Sequence, residues 1–257
     1  FVTLLAACQG LVARLAGQRD VVLGVPMAFQ TELPNAHVVA DGAHTVPLRS
    51  AVDIDRPFAE HLAVARRDFL DAQSQALKHY ANSCGVAIMG DLPIFIAHHS
   101  ADCWSRPDLY TLDEHFQPTV VAGVPPDDLG PLGQRWGNPL YRWDRMADEG
   151  FAWWAARVRR MLHQADAFRI DHFRGFAGYW EIPASSPTAQ QGRWLRGPGQ
   201  PLFDAIAKAL GELPIVAEDL GFITPDVHAL RQALGYPGMK ILQFAFGGGG
   251  DHEFLPH

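Results

Sequence analysis

Arg169-Ile-Asp171-His172-Phe-Arg174-Gly-Phe176 carries a carboxylate, an imidazole and two guanidiniums at the end of a short strand-like run. Leu213-Pro-Ile-Val-Ala-Glu218-Asp219-Leu-Gly221 repeats the design. In both, a few apolar residues fit a buried strand, and the acid sits where that strand would stop and a glycine-containing loop would begin. A charge in so apolar a setting is costly unless it is paired or lies at a rim, so both acids read as rim residues. Taken singly, each also fits a helix cap or a partner for a nearby arginine. Two such strand ends together point to a shared site.

Working outward, Val86-Ala-Ile-Met-Gly-Asp91 is a third run of the same kind, followed by a long loop region. Helices are predicted over 146–164, 201–211 and 225–234, and strands over 166–171, 214–219 and 239–246. Strands alternating with helices imply a parallel sheet. Four such strands, three of them ending in Asp91, Asp171 and Glu218, predict an α/β chain with about four units of a (β/α)₈ barrel, the acids on the rim where such barrels keep their chemistry. Gly247-Gly-Gly-Gly250 reads as a flexible tail, since no Lys-Ser/Thr follows to make a phosphate loop.

Before that part, helical spacing over 2–17 predicts a first helix, and Asp20–Ala28 and His44–Val52 read as strands, the second an edge because of Pro47. Asp55-Arg-Pro57 opens a second helix, with Phe58, Leu62, Ala65 and Phe69 on one face, that runs to about Cys84. These make a small α/β lobe. A helix of that length without an internal cap exceeds the usual globular range and marks a junction near 70–80, dividing the chain into 1–75 and 76–257.

The 257 residues, 48% hydrophobic, are enough for a substantial core. With 21 basic and 28 acidic residues the net charge is −7, which argues against a nucleic-acid partner or an acidic membrane and for a neutral one. Cys8, Cys84 and Cys103 are odd in number and form no C-x-x-C, so neither a disulfide framework nor a zinc site is expected, in keeping with a cytoplasmic location. Leu5-Ala-Ala-Cys8 is faintly like a lipoprotein cleavage box, but no positive region precedes it and Arg14 interrupts the apolar run, so it reads as a buried helix. The chain opens on Phe1 rather than Met, which reads as a fragment.

Arg169 two residues before Asp171, with Glu218 at a neighbouring strand end, is a reasonable glycosidase arrangement. One carboxylate is held ionised by a guanidinium, and the other is free to be protonated. Trp104, Trp136, Trp143, Trp153, Trp154, Trp180 and Trp194 all fall in this part of the chain. Exposed indoles would stack on sugar rings; buried ones would simply pack the core.

Together with those runs, Gly90-Asp-Leu-Pro-Ile-Phe95, Ser100-Ala-Asp-Cys-Trp104, Pro118–Asp127, Gly133-Gln-Arg-Trp-Gly-Asn-Pro139, Tyr179-Trp-Glu-Ile-Pro183, Ala217–Gly221 and Pro237-Gly-Met-Lys240 resemble the 4-alpha-glucanotransferases, or amylomaltases, over about 76–257. The resemblance implies a retaining transfer on maltooligosaccharide or starch-type glucans with no cofactor or metal. Asp171 would be the nucleophile and Glu218 the acid/base, with Arg169 and His172 holding the nucleophile and the reacting sugar. Asp91 would belong to the same substrate cleft, and 123–138 would be the mobile substrate loop, with Asp127, Trp136 and Asn138 in matching places. His99 stands where the family commonly has an acid, and Asp128-Leu129 replace an aromatic pair at the loop tip. The family's third carboxylate and its first barrel strands match nothing before His257, so this chain alone is expected to disproportionate maltotriose little or not at all.

Residues 1–75 resemble instead the later half of nonribosomal peptide synthetase condensation domains, without the His-His-x-x-x-Asp-Gly motif, which His98-His99 does not supply. That resemblance implies the alternatives of a carrier-interacting module or an inactive chimeric fragment. An incomplete barrel also leaves open sheet edges through which copies could associate.

Overall fold

The structure, a computed structural model, describes residues 2–28, 43–127, 130–247 and 254–255; Asp128-Leu129 and most of the Gly247–Gly250 run lie outside them. Two compact units divide at Ile88/Met89.

The first unit holds α1 (Val2–Ala16), β1 (Asp20–Ala28), β2 (Ala43–Ala51) and α2 (Phe58–Ser83). α1 buries Leu5, Ala6, Gln9 and Ala13, spaced along one face, and stops at Gly17, whose φ of 65° suits glycine. β1 and β2 pair antiparallel with Leu23 opposite Leu48. The buried amide of Gln9 donates to Ser50 Oγ at 2.8 Å, and His61 Nε2 lies 2.9 Å from the Ala6 carbonyl oxygen. These bonds satisfy polar groups that burial would otherwise make costly. Two helices on a strand pair is the lobe predicted from the sequence, and α2 runs unbroken through the predicted junction.

The second unit opens with β3 (Met89–Pro93), α3 (Ala101–Ser105), β4 (Val120–Val124) and β5 (Gln134–Pro139). It continues through α4 (Trp143–Asp148), α5 (Ala152–Gln164), β6 (Ala167–Asp171), β7 (Gly178–Pro183) and β8 (Arg193–Arg196). It closes with α6 (Gln200–Leu210), β9 (Ile215–Ala217), α7 (Pro225–Ala233) and α8 (Leu242–Ala245). β3, β6 and β9 form a parallel sheet with β6 in the centre, and β5, β4, β7 and β8 form an antiparallel one in that order. The core packs Trp154, Phe168, Phe173, Phe176 and Phe203, all but closed to solvent. Arg157 lies 4.9 Å over the Trp154 ring, and its Nη1 donates to the Ile94 carbonyl, which also accepts from Tyr141 Oη at 2.7 Å. The chain leaving β3 is thereby fixed from two sides.

Several sequence expectations change. The single helix over 146–164 is two helices, because Gly150 and Phe151 take consecutive left-handed φ values of 61° and 56°, and Phe151 turns into the core. The third strand is 89–93 rather than 86–91, so Asp91 lies within it, opposite Arg169, and not at its end. The predicted strand 239–246 is not formed. Ala217 N–H donates to the Pro237 carbonyl as a neighbouring strand would require, but Met239 N–H then turns to Asp219 Oδ1 and the chain coils into α8. Among the described residues the parallel sheet therefore has three strands, not four. The long loop region contains β4 and β5, half of a sheet the sequence reading did not anticipate.

Candidate active site

β6 is half-buried at alternate positions, with Phe168 and Ile170 inward, which leaves Arg169 and Asp171 on the other face. Register places Asp91 beside Arg169 and Ile170 beside Ala217, one residue before Glu218. The Arg169 guanidinium grips Asp91 through two bonds, of 2.9 and 3.0 Å, and its Nη2 lies 3.0 Å from Asp171 Oδ1. One arginine thus joins the two acids, the bidentate contact fixing its plane.

Glu218 is tied to the end of β6 by its own backbone. Its N–H donates to the Ile170 carbonyl, and its carbonyl accepts from Phe173 N–H. The side chain closes the ring: Oε2 accepts from His172 N–H at 2.8 Å and Oε1 from Leu220 N–H at 3.0 Å. His172 presents that N–H because it sits at φ 54°, a left-handed conformation uncommon for a side-chain-bearing residue and found often at functional sites. Gly175 closes the turn where a Cβ would meet Ile94 Cδ1 at 2.7 Å and His172 Cδ2 at 3.3 Å. Burial raises the Glu218 pKa, the two backbone donors offset part of the rise, and the Asp171 charge adds to it. This carboxyl holds its proton to higher pH than an ordinary glutamate.

The His172 ring meets the edge of Trp136 at 4.8 Å between centroids and 86° between planes. Its Nε2 is buried without a partner among the described residues. Burial first, and the Arg174 charge second, push its pKa down to about 4. The imidazole is therefore neutral at physiological pH. Its Cε1–H resonance should stay still through the ordinary histidine range near pH 6.5 and move only close to pH 4, which NMR of the folded protein would check; a midpoint near 6.5 would contradict the buried placement.

A cavity of about 550 Å³ has Asp127, Gln134, Trp136, His172 and Glu218 among its lining residues. Asp127 closes a turn, accepting from Gly130 N–H at 2.6 Å. Asn138 does not line the cavity; its amide donates to the Ile96 carbonyl at 2.8 Å and fixes the end of β5. The predicted residues thus fall into a triad of Asp91, Arg169 and Asp171, a backbone-linked pair of His172 and Glu218, Trp136 and Asp127 on the cavity wall, and Asn138 set back from it. Asp219 is structural, paired with Arg231 at 2.9 Å. His98 is spent on the Phe116 carbonyl at 2.7 Å. The tryptophans divide as well: Trp154 is core, while Trp136 and Trp194 stand about two-fifths exposed in the cavity. Sequence reasoning did not single out Arg174, Trp194 or Phe222 as site residues. The first two lie in quoted motifs or among the named indoles, whereas Phe222 after Gly221 carries no pattern that would mark it.

Comparisons with known proteins show the family. The family model described as 4-alpha-glucanotransferase matches residues 61–257, reaching into helix residues that the sequence reading had assigned to the other resemblance. A 4-alpha-glucanotransferase of Thermus thermophilus is 57% identical over 182 residues, covering 71% of this chain and 36% of that protein. The chloroplastic/amyloplastic 4-alpha-glucanotransferase DPE1 of Arabidopsis thaliana is 46% identical over 214 residues, 83% of this chain and 37% of that one. The solved amylomaltase from Streptococcus agalactiae in complex with acarbose superposes with a TM-score of 0.69 at 34% identity, over 95% of this chain and 47% of its own. The chain thus spans little more than a third of the length of these curated relatives. With a family match over most of its length and a relative 57% identical over 71% of it, the chain belongs to the 4-alpha-glucanotransferase family.

Proposed function

We propose that the second unit carries the reacting groups of a 4-alpha-glucanotransferase, arranged on part of a (β/α)₈ barrel, and that its substrate is a maltooligosaccharide or starch-type glucan. The observation that carries the reading is the pairing of two unlike carboxyls at neighbouring parallel strands. Asp171 lies against a guanidinium, and partial burial makes Glu218 hold its proton to higher pH than an ordinary glutamate. That is the division of labour a retaining glycosyl transfer needs.

In the first step the Asp171 carboxylate attacks the anomeric carbon, the glycosidic C–O bond breaks, and Glu218 gives its proton to the departing oxygen. In the second, Glu218 takes the proton of an acceptor 4-hydroxyl as that oxygen attacks the same carbon and releases Asp171. Water would give hydrolysis; a sugar acceptor gives transfer. Arg169 holds the nucleophile against Asp91, and neutral His172 faces the reacting ring beside Trp136. No cofactor or metal enters these steps. The cysteines are free thiols, which suits a reducing cytoplasm, and among the described residues no helix is long and apolar enough to cross a membrane. The carrier-interacting alternative draws on none of the residues at the cleft.

The test is covalent trapping. A maltosyl fluoride with an electron-withdrawing substituent on its reacting ring should add one maltosyl unit to the peptide containing Asp171, read by mass spectrometry. Labelling at another residue, or none, would remove Asp171 from this role.

A further inference from the structure

A buried cation is expensive unless an anion or several acceptors meet it. Arg174 is 7% exposed and makes no ion pair among the described residues. Its Nη1 donates to the Phe222 carbonyl at 2.6 Å and its Nε, more weakly, to the Gly178 carbonyl at 3.4 Å. The guanidinium carbon lies 3.9 Å from the centre of the Trp194 ring and 5.8 Å from that of Phe222. One side chain from the turn after β6 thus anchors an indole from β8 and the loop that follows Glu218. Desolvation lowers its pKa, and the charge of Asp226, which makes no ion pair with it, offsets part of the fall.

What this arrangement presents to solvent is aromatic. Phe222 is 69% exposed and Trp194 39%, and both line the cavity that contains Glu218. Large rings left open to water inside a cavity, and held in place by a buried charge, are built to meet a flat, partly apolar ligand. Their side of the cavity follows from the chemistry. The acid/base serves first the departing oxygen and then the incoming hydroxyl, so the sugars it faces are those beyond the bond being exchanged. Phe222 sits on Glu218's own loop, four residues on.

We propose that Trp194 and Phe222, with Arg174 as their positioning residue, form the subsite that binds the acceptor glucan by stacking on its sugar rings. The proposal rests on the glycosyl-transfer reading and adds where the second substrate is held. Each ring should contribute about tenfold or more to affinity, the scale expected of a well-placed aromatic contact.

The experiment is calorimetric titration of maltotetraose into the protein and into Trp194→Ala, Phe222→Ala, Arg174→Gln and Arg174→Lys, with circular dichroism melts alongside. Phe222→Ala, at an exposed position, should melt as the parent does, and Trp194→Ala, which uncovers one face of the buried Arg174, should melt lower but stay folded at the titration temperature; both should bind about tenfold or more weakly. Arg174→Gln should lose affinity, and Arg174→Lys, which keeps the cation, should recover part of it. Folded ring variants that bind as tightly as the parent, or a parent that does not bind maltotetraose, would overturn the subsite. Trapping at Asp171 reports on the other reading separately. Labelled Asp171 without ring-dependent binding removes the subsite and leaves the transfer chemistry. Ring-dependent binding without labelling keeps a glucan-binding surface and removes the chemistry.

Discussion

Asp171→Asn should lower the release of fluoride from a maltosyl fluoride by at least about 10⁴-fold, the scale seen when a covalent nucleophile is removed. The amide keeps the shape of the side chain and one oxygen near Arg169, so the fold should be undisturbed and the loss should fall on bond formation alone. A fluoride donor makes the measurement specific, because its leaving group departs without protonation and the first-turnover burst reads only the first covalent step. Fluoride release in the variant at a rate near the parent's would show that another group attacks the anomeric carbon. The triad predicts a smaller companion loss. Asp91 holds the guanidinium through two bonds, so releasing it should loosen Arg169 without removing the attacking group.

Glu218→Gln should behave differently with different donors. With maltooligosaccharides, whose leaving oxygen needs a proton, the loss should be about 10² to 10⁴-fold; with the fluoride donor the first-turnover burst of fluoride should be nearly unchanged, while later turnovers slow for want of the base. Equal losses with both would mean that Glu218 serves binding or structure and not proton transfer. Its pH dependence has a definite sign. Burial raises this carboxyl's pKa, so the acid form persists to higher pH and the alkaline limb of kcat/KM should lie above the ordinary glutamic acid value of 4.5. In the variant that limb should disappear.

Asp171 and Glu218 were legible in the sequence because each closes a short apolar run, and the register of β6 against β9 brings those runs side by side, whereas Asp91 sits inside β3. The linkage between them was not. It depends on His172 taking a left-handed φ so that its N–H points at Glu218, and a histidine in sequence does not announce that geometry. The antiparallel sheet was invisible for a related reason. β5 reads Gln134-Arg-Trp-Gly-Asn-Pro139, polar and glycine-bearing, with no alternation to mark a strand. It is a strand because its partner β4 is buried beside it and supplies the pairing. The run 239–246 failed in the opposite direction. Its apolar residues resemble a strand, but Asp219 takes the Met239 N–H that a ladder would have used. Long-range hydrogen bonds decided all three, and a local pattern does not contain them.

The two carboxyls stand on the parallel sheet or directly beyond it, while two of the cavity's exposed indoles, Trp136 and Trp194, stand on the antiparallel sheet. On the proposed reading, reacting groups and contact surface therefore descend from separate pieces of backbone. A substitution or insertion in β5, in β8 or in the turn closed by Asp127 can reshape what fits the cleft without disturbing the hydrogen bonds that fix Glu218 against the end of β6. On that reading, such a change would alter which sugars are held and leave the bond-making groups where they are.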